Sequence, residues 1–206
     1  MEVYTLVAPM NSRVPPKPSE HRARATEKLI REGGTDTARW AEPESLATQW
    51  DARAATAAEW IEADASVLDV GAGAMALESL LKPGCSYYPA DVVERRPGCL
   101  VVDLNRGEFP RGRYDWVIFL GVLEYIHDVG RVLERAREAA PRMVVTYCAD
   151  DAGDVAYRRG MGWVNDFTAE AFAAALARAG WRVEESREVK RGPGNVQLMF
   201  RCSSSK

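Results

Sequence analysis

Val67-Leu68-Asp69-Val70-Gly71-Ala72-Gly73-Ala74-Met75-Ala76 is the stretch from which the fold can be read. Ser66–Val70 has the character of a buried strand, and it runs into a turn at Gly71-Ala72-Gly73. Ala74 to Lys82 reads as the helix that follows, closed by Pro83-Gly84. Gly71 permits a tight turn, and Gly73 lets a ligand come close to the backbone. In an open α/β sheet such a turn lies at the carboxyl ends of the strands, where ligands bind.

Strand and helix patterns continue to alternate outward from this stretch. On its C-terminal side, short strands are expected at Ser86–Ala90 and Cys99–Val102. Asp115–Leu120 is too continuously apolar for a sheet with a wet face. Asp128 is positioned to cap a helix that buries Val129, Val132, Leu133, Ala136 and Ala140. Met143–Tyr147 is the next strand, and a polar loop is expected from Ala149 to Phe167. Thr168 caps a further helix, with Phe172, Leu176 and Ala179 inward and Gly180 at its end. Trp181–Val189 and Asn195–Cys202, separated by Arg191-Gly192-Pro193-Gly194, read as a hairpin. On the N-terminal side, Leu46, Trp50, Ala54, Ala57 and Ile61 recur at helical spacing within a helix from about Glu44 to Glu62. A charged helix is expected from His21 to Arg31, ended by Gly33-Gly34, and Val14 to Pro18 should be extended. Repeated strand–helix units imply a parallel sheet with helices on both faces and right-handed crossovers.

The 206 residues suit one domain with a substantial core. With 27 basic and 30 acidic residues the net charge is −3, which provides no general pull toward nucleic acid. The longest apolar run, around Trp116 to Val122, is strand-sized, so no membrane span is expected. The opening Met-Glu-Val-Tyr has no basic region leading into an apolar one, and is not read as a secretory signal. Cys85, Cys99, Cys148 and Cys202 are widely spaced and only His21 and His127 accompany them, so no metal site is expected. Cysteines in or beside apolar stretches fit a reducing, cytoplasmic setting.

The glycine spacing alone also fits a dinucleotide fingerprint, with Gly71, Gly73 and Ala76 in its three positions and Asp91 at a ribose-binding distance. Three acids discriminate between ligands. Asp69 lies inside an apolar strand, where a carboxylate costs several kcal/mol in order of magnitude unless it is paired. A pyrophosphate would add negative charge there, whereas S-adenosylmethionine carries an ammonium and a sulfonium. The alternative for Asp69 is satisfaction by backbone amides of the glycine turn. Asp91, ending the second strand, suits the two hydroxyls of a ribose. Asp103, after Leu100-Val101-Val102, suits an exocyclic adenine amine, although acids at strand ends are also common turn residues.

In these stretches the sequence resembles the class I S-adenosylmethionine-dependent methyltransferases. Val67 to Met75 is similar to their glycine-rich motif, Tyr88-Pro89-Ala90-Asp91 to their second-strand acidic motif, and Val102-Asp103-Leu104 to their adenine-contacting motif. Tyr114 to Asp128 resembles their fourth strand and the turn after it. The likeness covers roughly residues 45 to 202, and departs from the pattern at Met75, where many members have a third glycine. It implies a Rossmann-like seven-stranded mixed sheet, last strand antiparallel, with helices on both faces. Residues 1–44 would then be an N-terminal extension and lid, and residues 45–206 the catalytic domain. It further implies that Gly71 and Gly73 line the methionine part of the cofactor, with Asp69 near its amino group. Asp91 and Val92 would hold the ribose, Asp103 and Leu104 the adenine, and Leu120 and Gly121 would border the methionine end. Arg53 would meet the cofactor carboxylate.

For the chemistry itself, His127 is a candidate general base, its alternative being a loop histidine packed on the following helix. Tyr147, Tyr157 and Trp163 are candidates for acceptor binding, their alternative being aromatic packing anchors. The expected reaction is methyl transfer to an oxygen or nitrogen of a small-molecule acceptor. Two other readings stand beside it: an NAD-dependent oxidoreductase, and a non-catalytic methyltransferase-like scaffold.

Overall fold

Seven strands form one sheet in the computed structural model, which describes residues 18–46, 51–151, 153–192 and 195–205. They are β1 (Ser66–Val70), β2 (Ser86–Asp91), β3 (Leu100–Val101), β4 (Trp116–Phe119), β5 (Arg142–Ala149), β6 (Trp181–Gly192) and β7 (Asn195–Ser204). Their spatial order is β3-β2-β1-β4-β5-β7-β6. β1 to β5 run parallel, and β7 inserts antiparallel between β5 and β6. β1 is flanked by β2 on one side and β4 on the other. The chain therefore changes direction across the sheet at the ends of β1 and β4, which opens a crevice there.

Side chains alternate across the strands, and both faces are covered. Leu68, Val70, Val117, Phe119, Met143 and Val145 face one side, against Val132, Leu133 and Ala136 of α4 (Val129–Ala139) and Phe172 and Leu176 of α6 (Ala169–Arg178). Val67, Ile118, Val144 and Met199 face the other, against Ala54, Ala57, Ala58 and Ile61 of α3 (Asp51–Trp60). Both expected caps are made: Asp128 accepts from Arg131 N at 3.0 Å and Thr168 from Ala171 N at 3.1 Å.

Four expectations need correction. Ala74 to Lys82 holds only a 3-10 turn, Glu78–Leu80, and no α-helix. Met75 has a left-handed φ of 57°, which an α-helix cannot accommodate. The helix expected from Glu44 does not begin there: a 3-10 turn with Pro43 at its first position occupies Pro43–Ser45, Leu46 is extended, and the described helix α3 covers Asp51–Trp60. The loop from Ala149 to Phe167 contains a short helix, α5 (Val155–Met161), capped by Asp154. Cys99–Val102 contributes only the two residues of β3. Most of the Pro-rich stretch, Trp50, and the tip of the hairpin at Pro193-Gly194 lie outside the described residues.

Two helices precede α3. These are α1 (Glu20–Glu32), ended by Gly33 at φ 65°, and α2 (Thr37–Ala41). α1 docks on α5 through Thr26, whose hydroxyl donates to the Arg159 carbonyl at 2.9 Å. Arg39 of α2 donates to the Met161 carbonyl at 3.1 Å. The N-terminal segment is thereby brought over the crevice at the ends of β1 and β4. Among the described residues, no helix is long and apolar enough to cross a membrane.

Candidate functional site

The crevice deepens into a cavity with an empty volume of about 1110 Å3, part of it continuous with solvent. The turn after β1 forms its floor. Gly71 N and Ala72 N both donate to the Ala90 carbonyl, at 2.8 and 3.0 Å, which clamps the turn to the end of β2. Gly71 has φ 75°, and the space a Cβ would take is filled by the Val122 side chain. Gly73, at φ 51°, donates its N–H to Asp91 Oδ2 at 2.8 Å. Glycine is thus required twice here, and at Gly71 also by close packing.

The nine residues expected around a cofactor, Asp69, Gly71, Gly73, Asp91, Val92, Asp103, Leu104, Leu120 and Gly121, all line this cavity. Asp69 is buried and accepts from the Tyr87 hydroxyl at 2.7 Å, rather than from amides of the glycine turn. Burial pushes its carboxyl up to about 6, the Tyr87 hydrogen bond opposes this, Asp91 adds to it, and Arg53 opposes it. The same pairing and burial hold the Tyr87 hydroxyl far above the usual tyrosine range. Asp91 Oδ1 accepts from Val93 N at 3.3 Å and from Arg95 Nη2 at 3.1 Å. Asp103 accepts from the Thr35 hydroxyl at 2.7 Å and from Asn105 N at 3.0 Å. Gly121 N donates to Thr146 Oγ1 at 2.8 Å, and the Arg53 guanidinium fills the space beside its Cα.

The residues expected to carry catalysis and acceptor binding lie elsewhere. His127 is not part of the cavity wall: its Nε2 is 3.0 Å from the Gly34 carbonyl, and its N–H donates to Asn105 Oδ1 at 3.0 Å. Tyr147 is buried in the core, stacked on Phe172 with ring centroids 4.3 Å apart. Its hydroxyl donates to Asn165 Oδ1 at 2.5 Å and accepts from Arg158 Nη2 and Phe167 N. Tyr157 packs edge-on against Trp163, and neither lines the cavity. Trp163 reaches the wall only indirectly, donating Nε1 to the Tyr125 hydroxyl at 3.3 Å. Asn165 holds the turn after β4 by donating to the Leu123 and Ile126 carbonyls.

Several wall residues were not foreseen: Thr35, Trp40, Leu46, Arg95, Asn105 and Tyr125. Thr35 and Trp40 come from the N-terminal segment, and no spacing in the sequence ties them to β2 or β3. Arg95 falls in Glu94-Arg95-Arg96, a charged run that reads as a solvated face. Among the described residues, no group of three or more His, Cys, Asp or Glu side chains is arranged to hold a metal ion.

Residues 42–186 match the model of a family described as a methyltransferase domain. No curated protein matches the sequence. Solved structures with a similar fold include the mitomycin 7-O-methyltransferase, with a TM-score of 0.63 and 19% identity over 90% of this chain and 66% of that one. Another is the Burkholderia thailandensis 1,6-didemethyltoxoflavin N1-methyltransferase, solved with 1,6-didemethyltoxoflavin and S-adenosylhomocysteine bound. Its TM-score is 0.57, with 21% identity over 98% of this chain and 94% of that one. The [4+2]-cyclase SpnF shares the fold too, with a TM-score of 0.59 and 14% identity over 75% of this chain and 80% of that one. This chain spans just under two thirds of the length of the mitomycin enzyme.

Proposed function

From the match over residues 42–186, this chain belongs to the methyltransferase domain family, and we propose that it binds S-adenosylmethionine and methylates an oxygen or nitrogen of a small molecule. The observation that carries this reading is the convergence of three acids and Arg53 on a single cavity around the glycine turn. Asp91 and Asp103, at the ends of neighbouring strands, suit a ribose diol and an adenine amine. Asp69 and Arg53 lie close enough to influence one another electrostatically. An α-amino acid group carries one charge of each sign, so an ammonium at Asp69 and a carboxylate at Arg53 match this pair. A dinucleotide pyrophosphate offers nothing for Asp69.

Bound S-adenosylmethionine supplies a methyl group activated on a sulfonium. The chain's own residues then hold and align the partners in a water-poor space, walled by Leu46, Trp40 and Tyr125. Thr146 fixes the orientation of Gly121 through its hydrogen bond, and so fixes the wall at the end of β4. His127 is engaged with Gly34 outside the cavity, so alignment rather than a resident histidine base supplies the catalysis. The net charge of −3 favours a small acceptor over a nucleic acid.

The structural neighbours include a cyclase, so ligand identity must be tested directly. Thermal unfolding with S-adenosylhomocysteine and, separately, with NAD distinguishes the readings. At one hundred times its dissociation constant, a ligand of the native state stabilises by about 2.7 kcal/mol, or several degrees. A rise with S-adenosylhomocysteine alone is expected. A rise with NAD alone would establish the oxidoreductase reading, and no rise with either would leave the scaffold.

A further inference from the structure

The carboxylate suited to a ribose is already occupied in this structure. Arg95 Nη2 donates to Asp91 Oδ1 at 3.1 Å while Nη1 donates to the Trp40 carbonyl at 2.8 Å. The pair is buried, with 9% of the arginine side chain and 6% of the aspartate side chain exposed, and both residues line the cavity. Arg95 Nε is buried with no hydrogen-bond partner. A structural ion pair in the interior normally satisfies every donor, because an orphaned one costs stability. This one is left incomplete at the wall of a ligand-sized space.

Counting acceptor directions sharpens the point. A carboxylate offers about four. Gly73 N and Val93 N use two of those on Asp91, and Arg95 uses a third. A vicinal diol needs two. Of the three donors, two are backbone amides fixed by the turn and by the end of β2, and only Arg95 is a side chain free to rotate away.

We propose that Arg95 is a built-in competitor for the cofactor's ribose: it holds Asp91 before the cofactor binds, gives it up on binding, and so couples occupancy to the Trp40 segment. This rests on the S-adenosylmethionine reading above. The segment meets the other strand-end acid as well, through the Thr35 hydroxyl on Asp103. Both acids of the nucleoside end are therefore in contact with residues 35–40, directly or through one arginine.

The test is calorimetric titration of wild type, Arg95→Met and Arg95→Lys with S-adenosylhomocysteine, alongside their thermal unfolding without ligand. Methionine keeps most of the apolar stem and removes the competing charge. Arg95→Met is expected to bind about tenfold more tightly, the scale of a charge-assisted hydrogen bond no longer broken on binding, while its ligand-free form melts lower. Arg95→Lys, whose single ammonium cannot span both acceptors, is expected between the two. It also keeps the test decisive should the methionine variant fail to fold. Wild-type binding that is unchanged or weakened by the folded variants overturns the competitor role alone. Absence of binding in every protein, wild type included, overturns the cofactor reading and this proposal with it.

Discussion

At the scale of single residues, the site sets affinity against stability. Asp69 has its carboxyl raised to about 6, chiefly by burial. Between its ordinary value and 6, the folded protein binds a proton that the unfolded chain has released. Stability from this group is therefore greatest at low pH and is lost as pH rises through about 6. Above that pH the ionised carboxylate costs on the order of 3 kcal/mol, which a bound ammonium would offset. Asp69→Asn, still able to accept from Tyr87, should raise the melting temperature at pH 8 and change it little at pH 4. It should also weaken S-adenosylhomocysteine binding at pH 8. A variant that melts with wild type at both pH values and keeps full affinity would show that Asp69 is merely structural. Asp69 was legible because an acid in an apolar strand is conspicuous. Arg95 was not, because in its charged run nothing distinguishes a buried guanidinium from a solvated one.

At the scale of elements, the turn after β1 departs most from what spacing predicts. Ala74 to Lys82, following the glycine turn and closed by Pro83-Gly84, reads as a helix, yet Met75 adopts φ 57° and the chain reaches β2 through a 3-10 turn. A left-handed methionine costs about 1–2 kcal/mol relative to glycine. Met75→Gly should therefore raise the melting temperature by about 2–4 °C per kcal/mol recovered. A fall instead would show that packing of the Met75 side chain outweighs the strain. Where capping chemistry is local, as at Asp128 and Thr168, sequence reading and structure coincide. α5 escaped notice because its seven residues are too few to show helical periodicity among polar neighbours. Position in the chain puts Tyr147 and Trp163 near the site, but Tyr147 bonds to Arg158 and Asn165 in the core and Trp163 is buried against the Arg158 guanidinium.

At the scale of the whole molecule, strand order does most to place chemistry. With β1 between β2 and β4, the acids ending β1, β2 and the segment after β3 face one cavity, although Asp69 and Asp103 are 34 positions apart in the chain. The alternating pattern made that sheet legible from the start. The N-terminal segment was legible only as a segment, since its contacts with Asp103 and Arg95 arise from α1 docking on α5. These strand ends are proposed to form one S-adenosylmethionine site together. This assignment is tested most directly by calorimetric titration of wild type and Asp91→Ala with S-adenosylhomocysteine. Clear binding by wild type and a loss of tenfold or more in the variant are expected, the scale of hydrogen bonds to a charged group. A folded wild-type protein that does not bind, or an Asp91→Ala variant that binds equally well, would contradict it.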